Sequence, residues 1–150
     1  MRYYEYRHHV SLEETSVVGN VYFVHYVRWQ GRCREAFIRE HAPEAMQHMG
    51  PDLALATTRV ACTYYRELSA FDEVLIRMHA ADMTPSRLTI AFSCFRTGPR
   101  NSEELVAEGE QEIVCMQRID GRMQVALLPE PLREAVQSFM SSLSEELNLL

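Results

Sequence analysis

No stretch rich in proline, glycine or serine interrupts the 150 residues, so nothing marks a linker, and the chain is expected to form a single domain over residues 1–150 with a sizeable core. No concentrated basic surface accompanies the formal charge of −6, which argues against a nucleic-acid partner. The four cysteines, Cys33, Cys62, Cys94 and Cys115, form no CxxC pair and sit in apolar periodic segments, as buried free thiols do. A reduced, cytoplasmic protein is expected, without disulfides or a zinc site. His8, His9, His25, His41, His48 and His79 show no metal-ligand spacing. The N-terminus lacks the apolar core of a secretory leader, and no run approaches the roughly 20 apolar residues of a membrane-spanning helix. No repeat or low-complexity segment is present.

What is there reads as one strand, one long helix and a strand meander. An aromatic and β-branched strand over Arg2 to Leu12 precedes a polar loop, Glu13 to Gly19. A helix is expected from about Val21 to His41, stopped where Ala42 precedes Pro43, with a short helical piece around Glu44 to Met49. Strands are expected over Leu53–Leu68, Asp72–Met83, Arg87–Thr97, Glu103–Ile119 and Arg122–Leu128, the last two joined by a hairpin at Asp120-Gly121. A terminal helix is expected from Pro131 to the end. This order is α+β.

At helical spacing Tyr26, Trp29, Cys33, Ala36 and Phe37 share one arc, the stripe expected to face a sheet. Arg28, Arg32, Glu35 and Arg39 fall opposite, in solvent. Arg34 lies beside Gln30 at the edge of the buried face, where an unpaired guanidinium would be costly. Two readings of it stand: an ion pair with Glu13, Glu14 or a strand carboxylate, or a contact to a substrate carbonyl or its attacking water. Gly31, costing roughly 1 kcal/mol inside a helix, marks close approach of a strand or a partner subunit. Unsatisfied N–H groups at the helix start, around Tyr22 to Val24, form an anion site. Asn20 is either the helix N-cap or a holder of the carbonyl or water.

The run Val18-Gly19-Asn20-Val21-Tyr22-Phe23, continued by Tyr26 and by Arg28-Trp29-Gln30-Gly31-Arg32-Cys33-Arg34-Glu35, resembles the hot-dog thioesterases, and among them the enediyne-biosynthesis thioesterases. The resemblance covers nearly the whole chain. It implies a hot-dog fold, a curved antiparallel sheet wrapped around one central helix, in a homo-oligomer that is at least a dimer and, in the family, a dimer of dimers. It implies release of a polyene β-ketoacyl chain, by thioester hydrolysis, from the acyl carrier domain of an iterative polyketide synthase, followed by decarboxylation and with no cofactor. Arg34 and Tyr26 match the family's functional Arg and Tyr, and Phe23 aligns with the backbone amide that binds the carbonyl oxygen. The strand Cys62 to Arg66 resembles the strand that lines the pocket from the partner subunit, which makes Thr63 and Arg66 candidate substrate contacts together with Gln30. Glu14 matches an acidic position that is mainly structural in relatives.

One departure shapes the chemistry. Ser16 stands where the wider group carries a carboxylate, and a serine hydroxyl is no general base near neutral pH. Water activation by Ser16, Asn20, Tyr26 and Arg34 without that base is expected to be slow, since general-base catalysis typically contributes about 10²–10⁴-fold. The rival readings are a non-catalytic acyl-binding hot-dog, which the missing carboxylate favours, and an acyl-CoA thioesterase, which differs only in carrier.

Overall fold

The computed structural model describes residues 1–140. The long helix, α1, runs Val24–His41 and lays Tyr26, Trp29, Gln30, Cys33 and Phe37 against a sheet, the apolar stripe expected from its spacing with one buried amide added. Arg28, Arg32, Glu35 and Arg39 are exposed, as their opposite placement requires. The helix stops at Ala42, which Pro43 forces out of helical geometry (φ −141°, ψ 51°), and a short helix α2 (Pro43–His48) restarts with proline in its first turn.

The strands are β1 (Tyr4–His9), β2 (Leu53–Tyr64), β3 (Glu73–Met83), β4 (Arg87–Gly98), β5 (Ser102–Ile119) and β6 (Arg122–Val125), all paired antiparallel. Their order across the sheet is β1-β3-β4-β5-β2, with β6 paired to the end of β5. Alternation decides which face is buried. Ile76, Met78 and Ala80 of β3 and Leu88, Ile90, Phe92 and Cys94 of β4 turn toward the helix. Each large side chain so buried contributes roughly 1.5–3 kcal/mol. Register shifts at Thr57/Arg59, Ala80/Asp82 and Cys94/Phe95 add the bulges by which a sheet bends around a helix. The turn between β5 and β6 has positive φ at both Asp120 (52°) and Gly121 (78°), the geometry of a tight hairpin.

Several boundaries differ from the sequence expectation. The first strand is shorter than Arg2 to Leu12. The helix begins three residues later than Val21, because Val21 bridges Thr15 in an antiparallel pairing, with its amide bonded to the Leu68 carbonyl (2.8 Å) and the Tyr22 amide to the Glu14 carbonyl (3.0 Å). A bridged residue is extended rather than helical, so the helix can start only after it. The second strand ends at Tyr64 rather than Leu68, which turns into the core. The last helix, α3, spans Glu130–Gln137, and the rest of its expected course, residues 141–150, lies outside the described residues. Phe139, just beyond α3, packs edge-on against Tyr4 and Phe37 and seals the far end of the core.

Two features bear on assembly. Strand β2 is the outer strand on its side of the sheet and is almost wholly exposed from Ala56 to Tyr64, an unpaired edge of the kind that recruits another strand. Among the described residues nothing beyond the helix itself lies within 4 Å of where a Gly31 Cβ would stand, so none of the described strands approaches it. Close approach occurs instead at Gly109, where a Cβ would come within 2.2 Å of the Gln30 amide nitrogen.

Candidate active site

The loop leading to α1 is held from below by a buried carboxylate. Glu14, 7 % exposed, accepts hydrogen bonds from the Ser11 amide (2.9 Å) and the Trp29 indole (2.6 Å), and it meets the His8 ring nitrogen at 2.8 and 3.1 Å. Burial alone would raise its pKa. The Ser11 amide, His8 and Trp29 together outweigh burial and lower it to about 2. Above this anchor the chain makes a tight turn, with the Ser16 amide bonded to the Asn20 carbonyl (2.7 Å) and the Gly19 amide to the Ser16 carbonyl (2.9 Å). Gly19 sits at φ 89°, a conformation that favours glycine. Asn20 then pairs with Ser69.

Asn20 is therefore not the helix cap. Phe23 occupies that position, in helical geometry and without a capping side chain. Its N–H has no acceptor among the described residues, while its carbonyl accepts the Tyr64 hydroxyl at 2.8 Å. The Tyr22 amide is already used. The anion site expected across the helix start thus centres on the Phe23 donor, at the positive end of the helix dipole.

Ser16, Asn20, Phe23, Tyr26 and Arg66 line one open pocket of about 370 Å³, with Tyr64, Tyr65 and Glu67 also in its wall. Tyr26 is buried, packed at 4.9 Å against the Tyr64 ring. Burial, reinforced by Cys94 and by the Glu67 charge, raises its pKa, so its hydroxyl stays protonated and acts as a donor. The Tyr64 hydroxyl is raised by burial and its Cys62 contact. Arg66 is exposed, 3.5 Å from Glu104. Burial pushes the Cys33 and Cys94 thiols up to about 12, which removes a cysteine nucleophile.

The other candidates lie elsewhere. Gln30 is 2 % exposed, its amide nitrogen 3.6 Å from the Cys62 sulfur and its oxygen without a partner among the described residues. Thr63 faces a groove on the sheet's outer side with His79 and Glu108. Arg34, two helical turns beyond Tyr26, donates through one nitrogen to Thr57 (3.1 Å) and Gln111 (2.9 Å). Of the two readings of Arg34, the ion pair with Glu13, Glu14 or a strand carboxylate is not made among the described residues: Glu14 is consumed by His8 and Trp29, and both acceptors of Arg34 there are neutral. Burial disfavours its charge, and only Glu35 counteracts this. Arg34 also borders a narrow, wholly apolar cleft of only about 10 Å³ between α1, the sheet and α3, lined by Ile38, Leu55, Ile90, Ile113, Leu132 and Phe139.

Sequence reasoning passed over Tyr64, Glu67, Thr57 and Gln111. Strand alternation contained a signal for Tyr64, which shares a face with Cys62; nothing in the spacing pointed to the others.

An antiparallel sheet curled around one helix, with a free amide at the helix start, defines a hot-dog protein. A family model described as the thioesterase-like superfamily matches residues 10–136. The dynemicin thioesterase, a polyene-binding enzyme, superposes with a TM-score of 0.88 at 38% identity, covering 93% of this chain and 99% of that one. A 1,4-dihydroxy-2-naphthoyl-CoA thioesterase from Synechocystis (TM-score 0.77, 18% identity, 91% and 96% covered) and a 4-hydroxybenzoyl-CoA thioesterase variant bound to its thioester (0.78, 14%, 91% and 99%) share the fold. No curated protein matches the chain significantly. The chain belongs to the thioesterase-like superfamily, as a hot-dog thioesterase of the enediyne-biosynthesis type that the dynemicin enzyme represents.

Ser16 provides a first test of the pocket. Its hydroxyl can orient a water but not deprotonate one, so Ser16→Ala is expected to slow hydrolysis less than about tenfold, about 1.4 kcal/mol of barrier. A loss of several hundredfold in steady-state turnover would make Ser16 a nucleophile or an indispensable donor.

Proposed function

We propose that this protein releases a polyene β-ketoacyl chain from the acyl carrier domain of an iterative polyketide synthase, by thioester hydrolysis in the cytoplasm. The observation that carries this reading is Arg34: a partly buried cation whose hydrogen-bond partners among the described residues, Thr57 and Gln111, are both neutral. A β-ketoacyl thioester suits that cation, offering carbonyl oxygens to a guanidinium whose five N–H groups are only partly used. The thioester oxygen, where negative charge develops, takes the Phe23 N–H. Asn20 and Ser16 hold the water and Tyr26 donates from the side. The freed β-keto acid then loses carbon dioxide without a further catalytic group.

Within one chain these parts are too far apart to meet on a single carbonyl. Eight residues of helix separate Tyr26 from Arg34 by about 12 Å. Their contacts on β2, Tyr64 and Thr57, stand about 23 Å apart along the strand. Antiparallel pairing of two β2 edges, centred on the exposed run from Ala56 to Tyr64, would bring Thr57 of one copy within a strand spacing of the Tyr64 end of the other, about 5 Å. The working site is therefore proposed to be built at a homodimer interface, with Arg34 from one copy and the helix-start pocket from its neighbour. A dimer of dimers, as in the family, adds nothing this chemistry requires. Gln30 and Thr63 gain substrate contacts only through such assembly or through rearrangement, whereas Arg66 already faces the pocket.

The test is to incubate the pure protein with a carrier domain loaded with 3-oxo-polyene chains, and with the matching CoA thioesters, and to identify products by mass spectrometry. Free acid or its decarboxylated ketone from the carrier-bound substrate is the expected result. Chain retained by the protein without release would instead mark an acyl-binding accessory, and preference for CoA an acyl-CoA thioesterase.

A further inference from the structure

The absence of a carboxylate at Ser16 leaves the attacking water without a base on that side of the pocket, yet the pocket does contain one carboxylate. Glu67 reaches it from the segment joining β2 to β3, and it is the one acidic side chain lining the pocket among the described residues. Its backbone is fixed. The Val21 amide binds the next carbonyl, Leu68 (2.8 Å), Asn20 pairs with Ser69, and the Arg96 guanidinium donates to the Glu67 carbonyl (3.3 Å). Leu68 itself is fully buried. The same contacts also tie the backbone of its segment to that of Asn20, while the Glu67 side chain itself stays exposed. The Glu67 carboxylate makes no hydrogen bond or ion pair among the described residues. The cation beside it, Arg66, is directed to Glu104 instead. A carboxylate placed in a pocket and left unpaired is available to a substrate.

Resting on the hydrolase reading, we propose that Glu67 is the general base of this thioesterase, supplied by the β2–β3 segment in place of the loop carboxylate that Ser16 replaces. Glu67 takes one proton from the water as the water oxygen bonds to the thioester carbon. The carbonyl π pair moves onto oxygen, where the Phe23 N–H holds it. Collapse of the tetrahedral intermediate breaks the carbon–sulfur bond, and the departing sulfur recovers the proton from Glu67. Thioester and water become acid and thiol, and Glu67 returns to its starting state. The protonated Tyr26 hydroxyl, whose proton the Glu67 charge helps to retain, donates beside the reacting group and does not compete as a base.

The experiment measures single-turnover hydrolysis of a 3-oxoacyl-CoA by the intact protein and its Glu67→Gln, Glu67→Asp and Glu67→Ala variants. Glu67→Gln is expected to be roughly a hundredfold slower, with unchanged melting and unchanged affinity for a non-hydrolysable thioether analogue. Glu67→Asp should retain part of the rate, and added formate should restore part of it to Glu67→Ala. Hydrolysis by Glu67→Gln within about threefold of the parent overturns the assignment while leaving the hydrolase reading intact. A parent protein inert toward every thioester tried would sink the hydrolase reading and this assignment with it.

Discussion

Arg34→Ala is expected to lower thioester release by about 10²–10³-fold, roughly 3–4 kcal/mol of transition-state stabilisation, the range found when one donor to a developing oxyanion is removed. The fold should persist. Among the described residues Arg34 has no carboxylate partner whose charge its removal would strand, and its loss leaves the Gln111 and Thr57 oxygens short of a donor. An unpaired buried acceptor costs about 1–3 kcal/mol, and removing a desolvated cation offsets part of that. Arg34→Lys should not restore activity, since a point charge does not reproduce the planar fork that reaches Thr57, Gln111 and a carbonyl together. Turnover and melting on the same sample decide the matter: normal turnover refutes a substrate role, and a fall in melting with turnover kept would make Arg34 purely structural.

The largest effect on stability is expected at Glu14. Glu14→Ala strands the Trp29 indole, the Ser11 amide and the His8 ring inside the fold, and breaking such a buried cluster costs about 3–5 kcal/mol. In a chain of this size that lowers the melting temperature by on the order of 10 °C. Activity should fall with it, because Glu14 fixes the loop that presents Ser16 and Asn20. The carboxyl also sets an acid limit. Its pKa is depressed on folding from 4.5 to about 2, so its contribution is fully present above pH 4.5 and is lost as pH falls from there through about 2. That contribution is roughly 3 kcal/mol. Glu14→Gln, which keeps the shape but not the charge, should therefore be less stable than the parent at pH 7 and nearly level with it near pH 2 in denaturant melts. An equal gap at both pH values would contradict this account of the anchor.

Much of this architecture was legible because it rests on local periodicity. The stripe from Tyr26 to Phe37, the break at Ala42-Pro43 and the Asp120-Gly121 hairpin are each decided by a few adjacent residues. The start of α1 was not, since pairing of Val21 with Thr15 and Leu68 holds that residue extended where the pattern would have begun the helix. The site divides the same way. Ser16, Asn20, Phe23 and Tyr26 are near one another in sequence and meet in space. The partners of Arg34 and the position of Glu67 depend on strands more than 20 residues away, and one sequence carries no record of such pairings. Arg34 could be recognised as a cation at a buried edge, yet whether a carboxylate or a neutral oxygen would meet it depended on the register of β2 and β5. That register also sets how far Arg34 lies from the helix-start pocket.

Mixing subunits tests most directly whether two copies build one thioester-cleaving site. Arg34→Ala and Tyr26→Phe proteins, each expected to be nearly inactive alone, would be co-expressed with different tags and the mixed dimer isolated. A site shared between copies gives the mixed dimer one doubly altered and one intact site, so about half of parental turnover should return. Mixed dimers as inactive as either variant would place Arg34 and Tyr26 in the same protomer's site, and a strictly monomeric yet active parent would contradict the shared site altogether.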